Sequence, residues 1–151
     1  MNCDCKRHVT CPCEIYTDDE GNHGALPVYQ TRLAACADVS IPKQVIIHAH
    51  EAVKIDLLIG FDIPEDMKIV MYPRSSLLVK KGLIQPTSII DADYSHMHVH
   101  APLYNPTEQD VVLERGEHVA QIECMPRYST NANEWPRKDE ERTGGFGSTG
   151  K

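Results

Sequence analysis

The chain has 151 residues, of which 41% are hydrophobic and 25% are charged, a balance typical of one soluble globular domain with a buried core. Its formal net charge of −7 excludes the broad basic surface that nucleic-acid-binding proteins use, so we expect no nucleic-acid partner. The sequence has no apolar run of about 18 residues, and polar residues follow Met1. We therefore expect no membrane partner and no secretory signal, and the predicted location is the cytoplasm.

Residues 1–30 are polar and rich in turn formers, and they are predicted to form an N-terminal extension. Cysteines are concentrated near its start. Without an export signal, reduced thiols or a metal site are favoured over disulfides. Four thiolates can bind Zn²⁺ tetrahedrally, although the Cys-x-Cys spacing differs from the usual Cys-x-x-Cys of zinc ribbons. A zinc site and free thiols in a mobile terminus both remain open for Cys3, Cys5, Cys11 and Cys13.

Short apolar segments between residues 31 and 127 predict a β domain. Every odd position from 53 to 63 is apolar, and this period of two predicts one half-buried strand. Proline and glycine separate the apolar segments, and no long segment has helical periodicity apart from one short helix predicted at Ser75–Lys81. These features indicate an all-β sandwich or barrel. The further predicted strands are 44–50, 67–71, 89–90, 97–104, 111–113 and 119–124.

Residues 128–151 are polar and glycine-rich, and they are predicted to form a flexible C-terminal arm. A glycine-rich segment can bring several backbone N–H groups close to one anion. An arginine adds a bidentate guanidinium, hydroxyls add donors, and a single aromatic ring can stack on a base. A disordered end without function is the alternative interpretation. The candidate ligand-binding residues of the arm are Arg142, Phe146, Gly147, Ser148 and Thr149.

A second candidate anion site opens the predicted helix at Arg74, Ser75 and Ser76. One cation, two hydroxyls and the free N–H groups of a helix start together suit a phosphate. The alternative is an ordinary serine N-cap beside a surface arginine.

Two further segments carry candidate catalytic groups. Asp91 follows two apolar residues at a strand end, where a rigidly held carboxylate can accept a proton from water. Asp93 and Tyr94 follow it, and solvated turn carboxylates are the alternative interpretation. Gln121 lies in an apolar strand, and its amide can donate and accept at once, which suits the positioning of a water and a phosphate oxygen.

These four segments and residues 34–38 (Ala-Ala-Cys-Ala-Asp) occur in the order and approximate spacing of five motifs. The chain thus resembles the trimeric dUTP diphosphatase (dUTPase) family over about residues 31–150, as a divergent, phage-like member. The resemblance implies a jelly-roll-like β-barrel with one short helix, assembled as a homotrimer with active sites at subunit junctions. It also implies Mg²⁺-assisted hydrolysis of dUTP, or of a related deoxynucleoside triphosphate, to the monophosphate and diphosphate. A phage-encoded chain would act in the host cytoplasm.

The resemblance also implies a role for each motif residue. Asp91 would activate the water that attacks the α-phosphorus, and Gln121 would help to position it. Tyr94 would pack under the deoxyribose, and Asp38 would lie near Mg²⁺ through metal-bound water. The phosphates would be held by Arg74, Ser75 and Ser76.

The arm, by the same resemblance, would close over the active site of a neighbouring chain. Arg142, Ser148 and Thr149 would close over the γ-phosphate, while Phe146 would cover the base. Gly147 is a further predicted substrate-binding residue.

Departures from the family pattern leave the choice of base open. Cys36 stands where glycine is usual, and Ser95-His96 replaces a pair that commonly ends in glycine. The alternatives are a same-fold pyrophosphatase for another or modified dNTP, a dCTP deaminase, and a dUTPase-fold regulatory protein that binds nucleotide. His98 and His100 alternate with His96, which in one strand would give either a half-exposed polar face or a histidine-lined site around a threefold axis.

Overall fold

The computed structural model describes residues 9–129 and 134–147. Within them the fold consists of short strands, one α-helix and one 3₁₀ helix. In chain order these elements are β1 (Cys13–Ile15), β2 (Ala37–Ser40), β3 (Val45–Ile47), β4 (Ala52–Asp56), β5 (Ile59–Phe61), β6 (Met67–Tyr72), α1 (Ser75–Lys81), β7 (Ser88–Ile90), the 3₁₀ helix (Ala92–Tyr94), β8 (His100–Tyr104), β9 (Val111–Leu113) and β10 (His118–Pro126). Cys3, Cys5, Ser148 and Thr149 lie outside the described residues, so their roles stay predictions.

All strand pairs of the described residues are antiparallel. A four-stranded sheet has the order β2-β10-β6-β7, and three two-stranded ladders pair β1 with β5, β3 with β9 and β4 with β8. Aliphatic side chains from every layer meet in one core, in which Ile47, Leu57 and Leu113 have no exposed surface. The all-β prediction with one short helix is confirmed. No described helix is long and apolar enough to cross a membrane.

The single strand predicted over residues 53–63 is wrong in one respect, because the structure divides it into β4 and β5. The two strands pair with different partners, β4 with β8 and β5 with β1. The chain changes partner at Leu58, which has a φ of +51° and whose N–H donates to Asp56 Oδ1 at 2.8 Å. The odd positions from Ile55 onward are nevertheless buried, so the period of two correctly identified the inward face.

The strand predicted over residues 97–104 begins later than expected, because β8 starts at His100. The preceding residues form a turn in which His96 has a φ of +64°. The three alternating histidines therefore do not share one strand face. His96 lies beside Glu14, whereas His98 and His100 both approach Asp56.

Helix α1 begins and ends where the sequence predicts. Arg74 occupies the N-cap position without a side-chain cap hydrogen bond, so the alternative of a serine N-cap is not what the structure shows. Gly82 ends the helix with a φ of +68°, a left-handed conformation that glycine adopts without a steric penalty. The helix start therefore places Ser75 and Ser76 next to the end of β6.

The described part of residues 1–30 packs against the β domain. Strand β1 pairs with β5, and Tyr16 N–H donates to Leu58 O at 2.8 Å. The predicted boundaries, with residues 31–127 as the domain and 128–151 as the arm, stay predictions. Strand β1 nevertheless belongs structurally to the β domain, because it pairs with β5.

Replacing Leu57 by Ala is expected to lower the free energy of unfolding by about 2–5 kcal/mol, because truncation of a fully buried leucine leaves a cavity. Urea unfolding followed by circular dichroism measures the change. Leu33→Ala is the matched control, since Leu33 is 79% exposed and its truncation is expected to change stability by at most about 0.5 kcal/mol. Equal losses in the two variants would contradict the assignment of Leu57 to the core.

Candidate active site

Two separate pockets are lined by most of the described residues that are predicted to bind and hydrolyse a nucleotide, although Gly147 lines neither. The first, here called the Asp91 pocket, is a cavity of about 230 Å³ formed by the end of β7, the 3₁₀ helix, the start of β8 and the arm. The second, the Asp38 pocket, is a cavity of about 390 Å³ where β2, β10 and the start of α1 meet. Each pocket holds a different part of the predicted site.

The Asp38 pocket follows from the register of the four-stranded sheet. Gln121 on β10 lies opposite Asp38 on β2 and opposite Tyr72 on β6. Residues directly opposite one another project from the same face, so these side chains converge. Arg74 and the two serines follow β6 and close the pocket from one side. Gln121 Nε2 donates to Pro73 O at 3.0 Å, which fixes the orientation of the amide.

Asp38 is buried and is held by Arg74 and His118. Its Oδ2 atom lies 3.3 Å from Arg74 Nη2 and 3.5 Å from His118 Nδ1, and Arg74 Nη1 also donates to His118 O at 3.3 Å. The arginine is thereby oriented toward the pocket.

The lining of the two pockets fits a magnesium ion carried on a triphosphate better than a resident metal site. Asp38 is the one carboxylate that lines its pocket, and the described residues contain no group of three or more ligands placed to hold a metal. Mg²⁺ commonly takes one or two carboxylates together with substrate phosphates and waters. A single carboxylate matches the predicted contact through metal-bound water.

The Asp91 pocket contains the predicted base and the predicted nucleoside contact. Asp91 follows β7, and Tyr94 ends the 3₁₀ helix three residues later. Tyr94 Oη donates to His98 O at 2.9 Å, which holds the ring against the cavity. Ile89 and Ile90 line the apolar side of the same cavity. The pocket thus combines one carboxylate with an aromatic and aliphatic wall.

The arm lies over the Asp91 pocket of its own chain. Arg142 Nη2 contacts Asp91 Oδ2 at 2.5 Å, and Arg142 Nε donates to Asp93 Oδ1 at 2.7 Å. The guanidinium is 5.9 Å from the centre of the Tyr94 ring. Gly145 lies so close to this ring that a Cβ atom there would be 3.3 Å from it. The structure holds one chain, so closure over a neighbouring site stays a prediction.

Phe146 rests at the outer edge of the same pocket. Its ring meets the His100 ring edge-on at a centroid distance of 5.9 Å, and Lys54 Nζ lies 5.2 Å from its centroid. Gly147 follows with a φ of +96°, so the chain turns directly after the aromatic ring. Lys54, Val99 and His100 were not predicted to lie at this site, because an exposed lysine, a strand-like valine and a histidine in an alternating run carry no distinctive signal in the sequence.

One chain cannot bring the two pockets to the same phosphorus atom. On the β6–β7 ladder Ile69 lies opposite Ile90, so Asp91 is level with Lys68, whereas Gln121 is level with Tyr72. Four residues of strand separate these levels by about 14 Å, far beyond the roughly 3 Å reach of a catalytic hydrogen bond. A site that used Asp91 and Gln121 together would need a second copy of the chain.

The predicted zinc ligands Cys11 and Cys13 line a third cavity, together with Cys124. Burial is the main cause that raises the pKa of Cys11 to about 12 and that of Cys13 to about 11. Both thiols therefore stay protonated at neutral pH, and no described group of three or more side chains is placed to hold a metal. The described residues give no support to the zinc prediction.

The sequence and the all-β fold of this chain match known proteins. The dUTPase family model matches residues 22–150. A deoxyuridine 5'-triphosphate nucleotidohydrolase from Hydrogenobaculum sp. (strain Y04AAS1) is 32% identical over 131 residues, which cover 83% of this chain and 90% of the relative. A Lactococcus lactis nucleotidohydrolase of the same description is 44% identical over 89 residues, covering 54% of this chain and 59% of the relative.

Solved structures agree with these matches. The crystal structure of dUTPase from Streptococcus mutans has a TM-score of 0.71 and 30% identity, and the match covers 79% of this chain and 98% of that one. The dUTPase of Staphylococcus bacteriophage 80alpha, in a G164S mutant with dUpNHpp, has a TM-score of 0.71 at 19% identity, covering 93% and 98% of the two chains, which shows a shared fold. The chain belongs to the dUTPase family, as the resemblance predicted.

Proposed function

We propose that this protein hydrolyses dUTP to dUMP and diphosphate. The observation that carries the proposal is the arrangement of Asp91, Tyr94, Arg142 and Phe146 around one cavity in a chain that belongs to the dUTPase family. A carboxylate, an aromatic wall, a guanidinium and a covering ring are the groups that a nucleotide undergoing attack at phosphorus requires.

Asp91 would act as the general base that accepts a proton from the attacking water. This role requires an ionised carboxylate close to the water and unblocked by other cations. In the structure Arg142 forms ion pairs with both Asp91 and Asp93. Substrate binding must therefore draw the guanidinium from the carboxylates to the phosphate oxygens, which are equally good bidentate partners. The Arg142 guanidinium would then exchange the carboxylates of Asp91 and Asp93 for the phosphate oxygens of a bound triphosphate.

The Asp38 pocket would hold the phosphates. Arg74 supplies a cation that Asp38 and His118 O already orient, and Ser75 and Ser76 supply hydroxyl donors. Gln121 would position the water or a phosphate oxygen from the adjacent strand. The substrate would be the Mg²⁺ complex of dUTP, in which the metal neutralises charge on the phosphate oxygens. Asp38 would contact it through water.

Two copies would be needed to assemble one active site, and the proposed assembly is a homotrimer. The separation of Asp91 from Gln121 along the sheet supports this, because each chain presents complementary half-sites at different places. Exposed apolar side chains on α1 and β7 are available for contact with another chain, with Val79 82% exposed and Ile89 54% exposed. The molar mass of the protein in solution, measured by light scattering, tests the assembly.

Diphosphate release is expected from dUTP with Mg²⁺ and is expected to be lost in EDTA, because an uncomplexed triphosphate carries uncompensated charge in the transition state. The measurement compares dUTP, dCTP, dTTP and UTP under both conditions. Release of diphosphate from another dNTP in preference to dUTP would identify that dNTP as the substrate. Release of ammonia from dCTP would indicate a deaminase. Tight binding of dUpNHpp without release from any nucleotide would favour a regulatory nucleotide-binding protein.

A further inference from the structure

Strand β1 and the residues directly after it contact the edge of the Asp91 pocket, and neither the family motifs nor the proposed mechanism uses these contacts. Glu14 and Tyr16 precede residue 22, where the match to the family model begins. Both side chains reach the turn formed by residues 95–99, which leads from Tyr94 into Val99 and His100 on the cavity wall. The contacts involve His96 and His98.

The Tyr16 side chain passes over β5 at Gly60 to reach the turn. Glu14 lies opposite Gly60 in the β1–β5 ladder, and β5 in turn receives hydrogen bonds from His96 N–H to Phe61 O and from Val99 N–H to Ile59 O. A Cβ atom on Gly60 would lie 2.6 Å from Tyr16 Oη, so the glycine leaves room for the tyrosine to pass over the strand. Strand β5 therefore lies between β1 and the turn of residues 95–99.

Tyr16 packs on His98 in a parallel stack. The ring centroids are 4.2 Å apart and the planes are inclined by 13°. At its ring edge His98 is held by Asp56, whose Oδ2 atom is 2.8 Å from His98 Nδ1. The carbonyl oxygen of His98 accepts the Tyr94 hydroxyl at 2.9 Å. The stack thus connects the N-terminal segment to Tyr94, the residue that would pack under the sugar.

Glu14 holds the neighbouring residue of the turn. His96 has a φ of +64°, a conformation that residues other than glycine adopt only where surrounding contacts fix them. Its Nδ1 atom lies 2.5 Å from Glu14 Oε1, and the second oxygen of Glu14 accepts the Tyr16 hydroxyl at 2.5 Å. The Tyr16 hydroxyl, followed by His96, holds the pKa of Glu14 below its usual value, and Glu14 raises the pKa of His96.

We infer that Glu14 and Tyr16 are positioning residues that brace the turn of residues 95–99 and thereby fix the wall of the Asp91 pocket, where the nucleoside would bind. The inference rests on the proposed hydrolysis of a deoxynucleoside triphosphate at the Asp91 pocket. The brace acts on substrate binding and on the choice of base, because Val99 and His100 line the cavity while neither braced histidine touches Asp91. It does not supply a group to the reacting phosphorus.

The test compares Tyr16→Ala with Tyr16→Phe in steady-state diphosphate release. Loss of the ring is expected to raise KM for dUTP about two- to tenfold, the range that corresponds to an aromatic pair, while kcat changes little. The preference for dUTP over dCTP and dTTP is expected to fall in parallel. Tyr16→Phe retains the stack on His98 but loses the hydroxyl that donates to Glu14, so its KM is expected to lie between those of the wild type and Tyr16→Ala.

Glu14→Gln provides a second variant that removes the charge from a partly exposed position without removing a packed ring. It is expected to raise KM in the same direction by a smaller factor, and the affinity for dUpNHpp measured by calorimetry is expected to fall with it. Folded variants with wild-type KM and base preference would overturn the inference, and so would a fall in kcat at unchanged KM. A wild-type protein that releases no diphosphate would instead contradict the proposed function.

Discussion

Replacing Asp91 by Asn is expected to lower kcat for dUTP about 10²–10⁴-fold, the usual contribution of a general base. An amide cannot accept the proton of the attacking water, although it fills the same space. Binding is expected to persist, because the Arg142–Asp91 ion pair that competes with substrate is weakened in the variant. Diphosphate release gives kcat, and titration with dUpNHpp gives the affinity.

Asp93→Asn is the matched control for this variant. Asp93 also pairs with Arg142, at 2.7 Å, but it does not line the cavity. Its replacement is expected to leave kcat within about threefold of the wild type, since a partly exposed ion pair contributes little. Comparable losses in both variants would mean that the carboxylates act through Arg142 and that Asp91 is not the base.

Mixing two inactive variants is expected to restore activity if the two pockets come from different chains. Asp91→Asn damages the Asp91 pocket, and Arg74→Gln damages the Asp38 pocket while retaining a polar stem beside buried Asp38. After co-refolding in equal amounts, a site is intact only when Asp91 comes from one variant and Arg74 from the other. Random assembly gives about one quarter of the wild-type activity when each site joins two neighbouring chains.

No recovery from this mixture, with assembly verified by light scattering, would show that one chain supplies both pockets. The same experiment with Arg142→Ala in place of Arg74→Gln identifies the chain whose arm covers the site. Recovery would assign the arm to a neighbour, as the family resemblance implies. Absence of recovery would assign it to the chain whose Asp91 it contacts in this structure.

Local patterns in the sequence were sufficient for the fold class and for the bounds of several elements. Helix α1 was predicted over its full length, because Pro73 before it and Gly82 after it are local signals for a start and a stop. The inward face of residues 53–63 was also correct. The change of partner at Leu58 was not predictable, since pairing with β8 on one side and β1 on the other depends on residues distant in sequence.

The candidate site was likewise predictable from the sequence only in part. The sequence alone identified Arg74, Asp91 and Gln121 as the groups suited to a phosphate and a water, because each motif is compact along the chain and carries its own chemistry. Only the tertiary structure showed that Asp91 and Gln121 lie at opposite ends of one sheet. The physical reason is the antiparallel register of β6, β7 and β10, which no single motif contains.

The histidines after Tyr94 show most clearly how the prediction from the sequence and the tertiary structure differ. Their alternation predicted one strand face, whereas the structure places His96 in a turn beside Glu14 and His98 in a stack with Tyr16. Contacts between residues more than 80 positions apart decide this arrangement. The sequence by itself thus determined the β character of the chain and which residues are candidates for the chemistry. The tertiary structure decided which of them meet, because packing across strands sets neighbours that local periodicity cannot specify.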